Sequence, residues 1–143
     1  CRNIGGSSKY QFTVFVSRKI NKNLQYHAPA SSVTNYGRVS GNFGDRPVPL
    51  KIAVNNNSSL APDELRIANS GEYHLINDGC VIMENDTGEL YRVMERYKED
   101  PDIIKLDKDW AGTSSGDVWT VPPPKDGGRR PCIGVYQKII RID

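Results

Sequence analysis

Apolar and polar residues alternate at a spacing of two along much of the chain, which is the pattern of β-strands. The first such run is 10–16, and its apolar face consists of Tyr10, Phe12, Val14 and Val16. Phe15, on the opposite face of this run, predicts that the second face is partly covered too. Further strands are predicted at 24–27, 48–54, 72–77, 80–83, 90–97, 118–121 and 132–142, with a short strand or a turn of helix at 103–106.

Turn signals suggest how these strands connect. Asp78-Gly79, between apolar β-formers, predicts a hairpin with a type I′ turn, because both central residues of that turn need positive φ. Asn85–Gly88 predicts a second turn. The polar residues 21–23 would pair 24–27 with the first strand, and the proline-rich residues after 121 would pair 118–121 with the terminal strand as a loose hairpin.

One helix and one long loop interrupt the strands. Pro62 suits the first position of a helix, the acids after it suit the helix dipole, and Gly71 lies near the end, so a short helix is predicted over 62–68. Residues 28–46 contain three glycines and little apolar pattern, which predicts a long loop. Together these elements predict a mainly β fold, a small β-sandwich or barrel of about seven to eight strands with one short helix.

Composition is ordinary for a globular protein, but charge is unevenly distributed. The 143 residues are 37% hydrophobic and 25% charged, and no apolar run approaches the length of about 20 residues that a membrane-spanning helix needs. The formal net charge is +2, yet residues 72–109 hold eleven acids against five bases. We therefore expect one acidic region in a single domain, 9–143.

The start of the chain carries a resemblance. Cys1 is followed by Arg2–Ser8, a short stretch rich in glycine and serine that is typical of a flexible tether. A cysteine at the first position followed by such a tether resembles a mature bacterial lipoprotein. The resemblance implies a lipid on Cys1, a tether over residues 1–8, attachment to a membrane and a location in the periplasm.

The remaining cysteines form a candidate pair. The chain has three cysteines, an odd number that requires an explanation in an exported protein. If Cys1 carries the lipid, Cys80 and Cys132 remain, and each lies in an apolar run that is predicted to be a strand. We therefore predict a disulfide between Cys80 and Cys132, the alternative being that the cysteines are buried free thiols in a cytosolic protein.

No catalytic or metal-binding motif is present in the sequence. The two histidines, His27 and His74, could act as acid and base with Glu72 or Glu84, so a small secreted ribonuclease is one alternative function. Residues 107–118 begin like a calcium loop but have Ala111 and Val118 where two of the ligands belong. The cysteine spacing does not suit zinc, Arg129-Arg130 is too small for a nucleic-acid patch, and we expect no cofactor and no metal.

The prediction that remains is protein binding. Trp110 lies in a polar loop, so it is either an interface anchor or a plug over one end of the fold. The partner-binding residues predicted in loop 98–117 are Glu99, Asp102, Asp107, Asp109 and Trp110, with the glycine-rich residues 34–46 as a second loop. Small β-domains of lipoproteins mostly bind proteins, so the predicted function is an immunity or inhibitor protein for a basic toxin, and not an enzyme. The alternative within this class is an assembly lipoprotein of an envelope machine.

Overall fold

A computed structural model describes residues 2–3, 9–18, 26–27, 43–44, 47–124 and 132–141, and for 2–3, 26–27 and 43–44 the backbone alone. The strands are β1 (Arg2–Asn3), β2 (Lys9–Ser17), β3 (Tyr26–His27), β4 (Phe43–Gly44), β5 (Leu50–Asn55), β6 (Glu64–Ile67), β7 (Val81–Glu84), β8 (Leu90–Arg96), β9 (Ile103–Leu106), β10 (Ser115–Thr120) and β11 (Cys132–Arg141). Within this part of the chain the one helical segment is a 3-10 turn at Tyr73–Leu75, and no helix is long and apolar enough to cross a membrane.

Strands β5 to β10 close into a six-stranded barrel. Its strand order is β10-β5-β6-β9-β8-β7, and every pair is antiparallel. β7, β8 and β9 follow one another as a meander, and β10 returns to lie beside β7, which is a Greek-key connection. Closure pairs every strand on both sides, so the barrel has no open sheet edge.

The interior of the barrel follows from the alternation in its strands. In β5, for example, every second residue points inward, and Ile52 is fully buried while its neighbours are half exposed. The core consists of Ile52, Val54, Leu65, Ile67, Leu75, Ile76, Cys80, Ile82, Tyr91, Val93, Ile104, Leu106 and Val118. The prediction of a mainly β fold is confirmed, with the barrel as its architecture.

The first and last long strands form a separate element, which we call the ribbon (β2 and β11). They pair antiparallel from Lys9↔Arg141 to Cys132↔Ser17, and the short β1 pairs with β2 on its other side. The ribbon lies against the turn between β7 and β8. Gln137 Nε2 donates hydrogen bonds to Thr13 Oγ1 at 3.2 Å and to the carbonyl oxygen of Gly88 at 2.5 Å.

The apolar face of β2 points away from the barrel. Gln11, Thr13 and Phe15 line a cavity of about 370 Å3 whose other wall is formed by barrel residues such as Met83 and Trp119. The opposite face is exposed, with 54% of Val14 accessible to solvent. The predicted alternation is thus present, and Phe15 is covered as expected, but the more apolar face does not contribute to the core.

The predicted helix over 62–68 is wrong. These residues turn at Pro62 and then form strand β6, in which Leu65 and Ile67 point into the barrel while Glu64 and Arg66 lie on its outer side. The proline and acids give a local helix signal, but the spacing of two between Leu65 and Ile67 buries both side chains only in a strand. Tertiary packing overrides the weaker local preference.

The predicted hairpin at Asp78-Gly79 is also wrong. Gly79 has φ of 73°, but none of the described non-glycine residues has positive φ, so Asp78 does not meet the requirement of a type I′ turn. The residues before it form the 3-10 turn instead of a strand. The second predicted turn is confirmed, because Gly88 has φ of 71° and joins β7 to β8.

Two predicted pairings differ from the observed ones. Strand β10 pairs with β5 and β7, and the terminal strand β11 pairs with β2 rather than with β10. Residues 26–27 pair with 43–44 and not with the first strand. Apart from these two short strands, the predicted loop 28–46 lies outside the described residues.

Candidate functional site

Four exposed acidic side chains lie at one end of the barrel, where the β7–β8 turn and the β9–β10 loop meet. We call this end the acidic rim and define it by Asp86, Glu89, Asp107 and Asp109, all of which are exposed. Contacts fix the two segments side by side. Lys108 Nζ contacts Glu89 Oε1, and Asp107 exchanges two hydrogen bonds with the backbone of Arg92, its Oδ1 accepting from the amide at 2.9 Å and its own amide donating at 3.0 Å.

Trp110 holds the β9–β10 loop against the end of the barrel. Its ring is partly buried against the core and lies 5.0 Å from the Tyr91 ring, centroid to centroid. Its Nε1 donates to the Thr113 carbonyl oxygen at 3.0 Å, and its amide donates to the Pro62 carbonyl oxygen at 2.8 Å. A Cβ on Gly112 would lie 2.5 Å from the indole ring, so this glycine is required for the close approach. This geometry is that of a plug.

Two further groups make the acidic rim rigid. The Tyr91 hydroxyl accepts a hydrogen bond from the Ala111 amide at 3.0 Å, and burial raises the pKa of this tyrosine. Below the β7–β8 turn, the buried Glu84 carboxylate accepts from the amides of Asp86 at 3.0 Å and Thr87 at 2.5 Å. Carboxylate bonds to backbone amides are strong, so this turn is held from inside the barrel.

The charge of the acidic rim is only partly neutralised. Lys108 lies 4.9 Å from the centre of the Tyr91 ring, and its hydrogen bond to Glu89 raises the pKa of the ammonium group. Asp107 and Asp109 precede and follow Lys108 in the sequence, and both are exposed. The acidic rim therefore presents net negative charge on a fixed backbone.

The other two predicted partner-binding residues lie elsewhere. Glu99 and Asp102 belong to the β8–β9 loop, at the opposite end of the four-residue strand β9 and so about 10 Å or more from Asp107. There Asp100 pairs with Arg66 at 2.9 Å, and the Asp102 carbonyl oxygen accepts from the Ile67 amide. The structure brings Asp107, Asp109 and Trp110 together, and it separates Glu99 and Asp102 from them.

The predicted disulfide is not formed in this structure. Cys80 and Cys132 are both thiols, and they line one cleft of about 550 Å3 between the barrel and the ribbon. Cys132 Sγ lies 3.4 Å from the carbonyl oxygen of Gly134 in its own strand, and burial raises the pKa of its thiol. Because Cys80 precedes a barrel strand and Cys132 begins a ribbon strand, the cleft separates the two elements that carry the sulfurs.

The residues considered for catalysis do not form a recognisable constellation. His74 is exposed on the 3-10 turn, the side chain of His27 lies outside the described residues, and Glu84 is committed to the turn amides. Among the described side chains, no group of three or more His, Cys, Asp or Glu residues is placed to hold a metal ion. No protein-family model, no curated protein and no solved structure matches the chain.

Sequence reasoning missed one feature, the charge of the ribbon. Residues 9–18 and 132–141 contain four bases and no acid, whereas 47–124 contain seven bases and fourteen acids. The two acid-free segments are far apart in the sequence, and their pairing in the fold puts Lys9 and Arg141 together on one face of the ribbon and Lys138 on the other. A search of the sequence for long acid-free segments would have found each of the two strands.

Proposed function

We propose that this protein is a membrane-anchored protein-binding module of the immunity or inhibitor type, and that its acidic rim binds a basic protein. The observation that carries the proposal is the pair of exposed carboxylates, Asp107 and Asp109, on a loop that Trp110 fixes to the barrel. A fixed loop loses little conformational entropy on binding, and complementary charge accelerates the capture of a basic partner.

Trp110 has a supporting role in this proposal. Its ring fills the end of the barrel, so it holds the acidic loop in place instead of inserting into the partner. The binding energy would then come from the rim carboxylates and the neighbouring surface. Glu99 and Asp102, at the other end of the barrel, would not contact the same partner surface.

The anchor is the second part of the proposal. It rests on Cys1 and the glycine- and serine-rich residues that follow it. Lipid attachment in the periplasm would place the acidic rim where an incoming toxin or secreted enzyme arrives. Metabolic labelling with a fatty acid tests this part, and a Cys1→Ser variant should lose the label.

Binding is tested with the proteins encoded by the genes next to the one for this chain. Each of them is exported to the periplasm of a host, with and without this chain. One of them should stop growth, and the chain should restore it. The double substitution Asp107→Asn and Asp109→Asn should raise the Kd for that protein about tenfold or more, because two charges facing a basic surface are lost.

A matched control removes the same charge elsewhere. Asp78→Asn with Glu95→Gln changes two exposed carboxylates outside the acidic rim and should leave the Kd within about twofold. Equal effects of the two double variants would mean that net charge, and not the acidic rim, governs binding. If no neighbouring protein is toxic, the immunity part of the proposal is refuted.

A further inference from the structure

The cleft between the barrel and the ribbon runs along the edge of β11. Five consecutive residues of that strand, 132–136, line it. Successive side chains of a strand point to opposite faces, so a cleft that touches every residue in turn borders the edge of the strand and not one face. These residues span about 14 Å. The cleft volume of about 550 Å3 is in the range of pockets that bind ligands.

The edge of β11 offers unpaired backbone groups. In the described part of the chain, β11 pairs with β2 alone, on one of its two sides. Every second residue of an edge strand directs its amide and its carbonyl oxygen away from the partner strand. The barrel strands on the opposite wall are paired on both sides. Among the described strands at the cleft, β11 therefore is the one with a free row of donors and acceptors.

Apolar side chains lie along this edge. Ile133 is 59% exposed and Tyr136 is 65% exposed, and both line the cleft. A Cβ on Gly134 would lie 3.0 Å from Cε2 of the Tyr136 ring, so the glycine leaves room for the ring beside the backbone. On the opposite wall, Val81 and Arg92 pair directly and so share the outer side of the barrel. A chain segment in the cleft would meet side chains on both walls.

The cleft continues into the acidic rim. Asp107 belongs to both, and its exposed carboxylate suits a lysine or arginine side chain. Arg92 also lines the cleft, and its guanidinium has no ion-pair partner among the described side chains. A guanidinium carries only donors, which suit the carbonyl oxygens of a peptide backbone. The charged groups at the cleft therefore fit an extended chain with basic side chains.

We propose that an extended basic segment of the partner protein binds in this cleft by pairing with the edge of β11. The proposal rests on the proposed function and names the part of the partner that the acidic rim receives. In such strand addition, main-chain hydrogen bonds supply affinity and alternate side chains supply specificity. The barrel wall favours a single strand as the occupant, because a second copy of this chain would bring β2 and its own barrel with its β11.

The first test uses a peptide, since main-chain pairing does not depend on one sequence. The probe is a heptapeptide with blocked ends that alternates valine and lysine, and the protein is the full chain with Cys1→Ser. Backbone amide signals in nuclear magnetic resonance spectra are followed during titration. The signals of 132–136 should shift to saturation. Those of β6, which does not line the cleft, should stay in place.

Two ester analogues of the peptide test the backbone bonds. In one, esters replace the amide N–H groups of the valines, and in the other those of the lysines. Residues of one parity direct their amides towards β11, so one analogue should bind at least about tenfold more weakly and the other less than about twofold. The ester keeps the shape and charge of the peptide. Equal affinities of the two analogues would refute strand pairing.

Two pairs of variants locate the contact. Ile133→Ser should weaken peptide binding about fivefold, because it removes an apolar side chain from the cleft. Ile139→Ser is the control, since Ile139 lies on the same strand, is 62% exposed and does not line the cleft. Asp107→Asn keeps an oxygen for the Arg92 amide and should weaken binding about fivefold. Its control is the exposed Glu95→Gln, and circular dichroism confirms that each variant is folded.

Three results would overturn the proposal: no saturable binding of the peptide, equal losses in a cleft variant and its control, or a dimer that Ile133→Ser abolishes. Sedimentation velocity detects the dimer, which would make a second copy the occupant. The peptide test needs neither the anchor nor a toxic neighbour, so its failure leaves the acidic rim untouched.

The same variants connect the cleft to the partner. For a toxic neighbour that binds this chain, Ile133→Ser should raise the Kd at least about fivefold, and Ile139→Ser should leave it within about twofold. An unchanged Kd in Ile133→Ser would overturn the role of the cleft and leave the proposed function standing. Peptide binding without any toxic neighbour would refute the immunity type and leave the cleft as a peptide site.

Discussion

The barrel and the ribbon have the same alternation of apolar and polar residues, but they turn their apolar side chains in different directions. In the barrel, closure turns one face of every strand inward, and Ile104 is fully buried. In the ribbon, the more apolar face is turned outward, with Val14 54% exposed, and on the barrel-facing side Ile139 is still 62% exposed. The charges differ in sign as well, −7 for 47–124 and +3 for the ribbon (Lys9, Lys138 and Arg141). Apolar residues that the core does not use are available for contact with another surface.

The largest expected effect comes from two isoleucines in these two regions. Ile104→Ala should lower the free energy of unfolding by about 2–5 kcal/mol, because it leaves a cavity in a closed core. Ile139→Ala should lower it by less than about 0.5 kcal/mol, since the side chain is already in water. Urea denaturation at pH 7 measures both values. Similar losses would mean that the ribbon is as tightly packed as the barrel.

Trp110 gives the next largest effect and separates a plug from an anchor. Trp110→Ala should lower the free energy of unfolding by about 2–3 kcal/mol, because it removes a partly buried ring from the end of the core. Trp110→Phe should retain much of that stability. Binding of the toxic neighbour is measured at a temperature where both variants are folded. An unchanged unfolding free energy with a Kd raised at least tenfold would identify an anchor and contradict the plug.

The features of the fold that local sequence determines were predictable, and those that depend on pairing between separate segments were not. Strands β5, β8 and β11 were evident because their alternation is local, and Gly88 marked its turn because the turn requires positive φ. Strand β6 was missed because the proline and acids beside it favour a helix locally. Pairing with β5 and β9 in the fold makes the strand the more favourable structure. Asp107 and Trp110 are close in sequence and were grouped correctly. Glu99 and Asp102 were grouped with them wrongly, because an intervening strand carries them to the other end of the barrel.

A smaller effect is expected where β8 is tied to β6. Tyr97 donates a hydrogen bond from its hydroxyl to Glu64 Oε1 at 2.7 Å, which raises the pKa of Tyr97 to about 12 and lowers the pKa of Glu64. Tyr97→Phe should lower the free energy of unfolding by about 1 kcal/mol at pH 7. Tyr73→Phe, at an exposed tyrosine of the 3-10 turn, is the control and should have little effect.

The pH dependence of this bond has a definite sign. The lowered pKa of Glu64 gives stability that is present above its ordinary value of 4.5 and is lost as the pH falls through the lowered value. The raised pKa of Tyr97 gives stability that is present below 10.0 and is lost as the pH rises towards about 12. The difference between wild type and Tyr97→Phe should therefore shrink at both extremes. A difference that is constant with pH would contradict this assignment.

The smallest expected effect concerns the link between the two regions. Gln137→Ala removes the bonds to Thr13 and Gly88 and should lower the global free energy of unfolding by only about 0.5–1 kcal/mol. Hydrogen exchange should become faster in β2 and β11 and stay unchanged in the barrel. Lys138→Ala, on the other face of the ribbon, is the control. Faster exchange throughout the barrel would show that the ribbon and the barrel unfold as one unit.

The pairing of β2 with β11 also sets the order in which the chain can fold during synthesis. Lys9 pairs with Arg141, so the two halves of the ribbon are separated by almost the whole chain. The strands of the barrel all lie within 50–120 and can close before β11 reaches β2, because their pairings join residues that are closer in the sequence. Until then β2 lacks the partner that pairs with it along most of its length, and an apolar strand with an open edge is prone to aggregation. We expect truncation before β11 to leave a folded barrel that depends on chaperones for solubility.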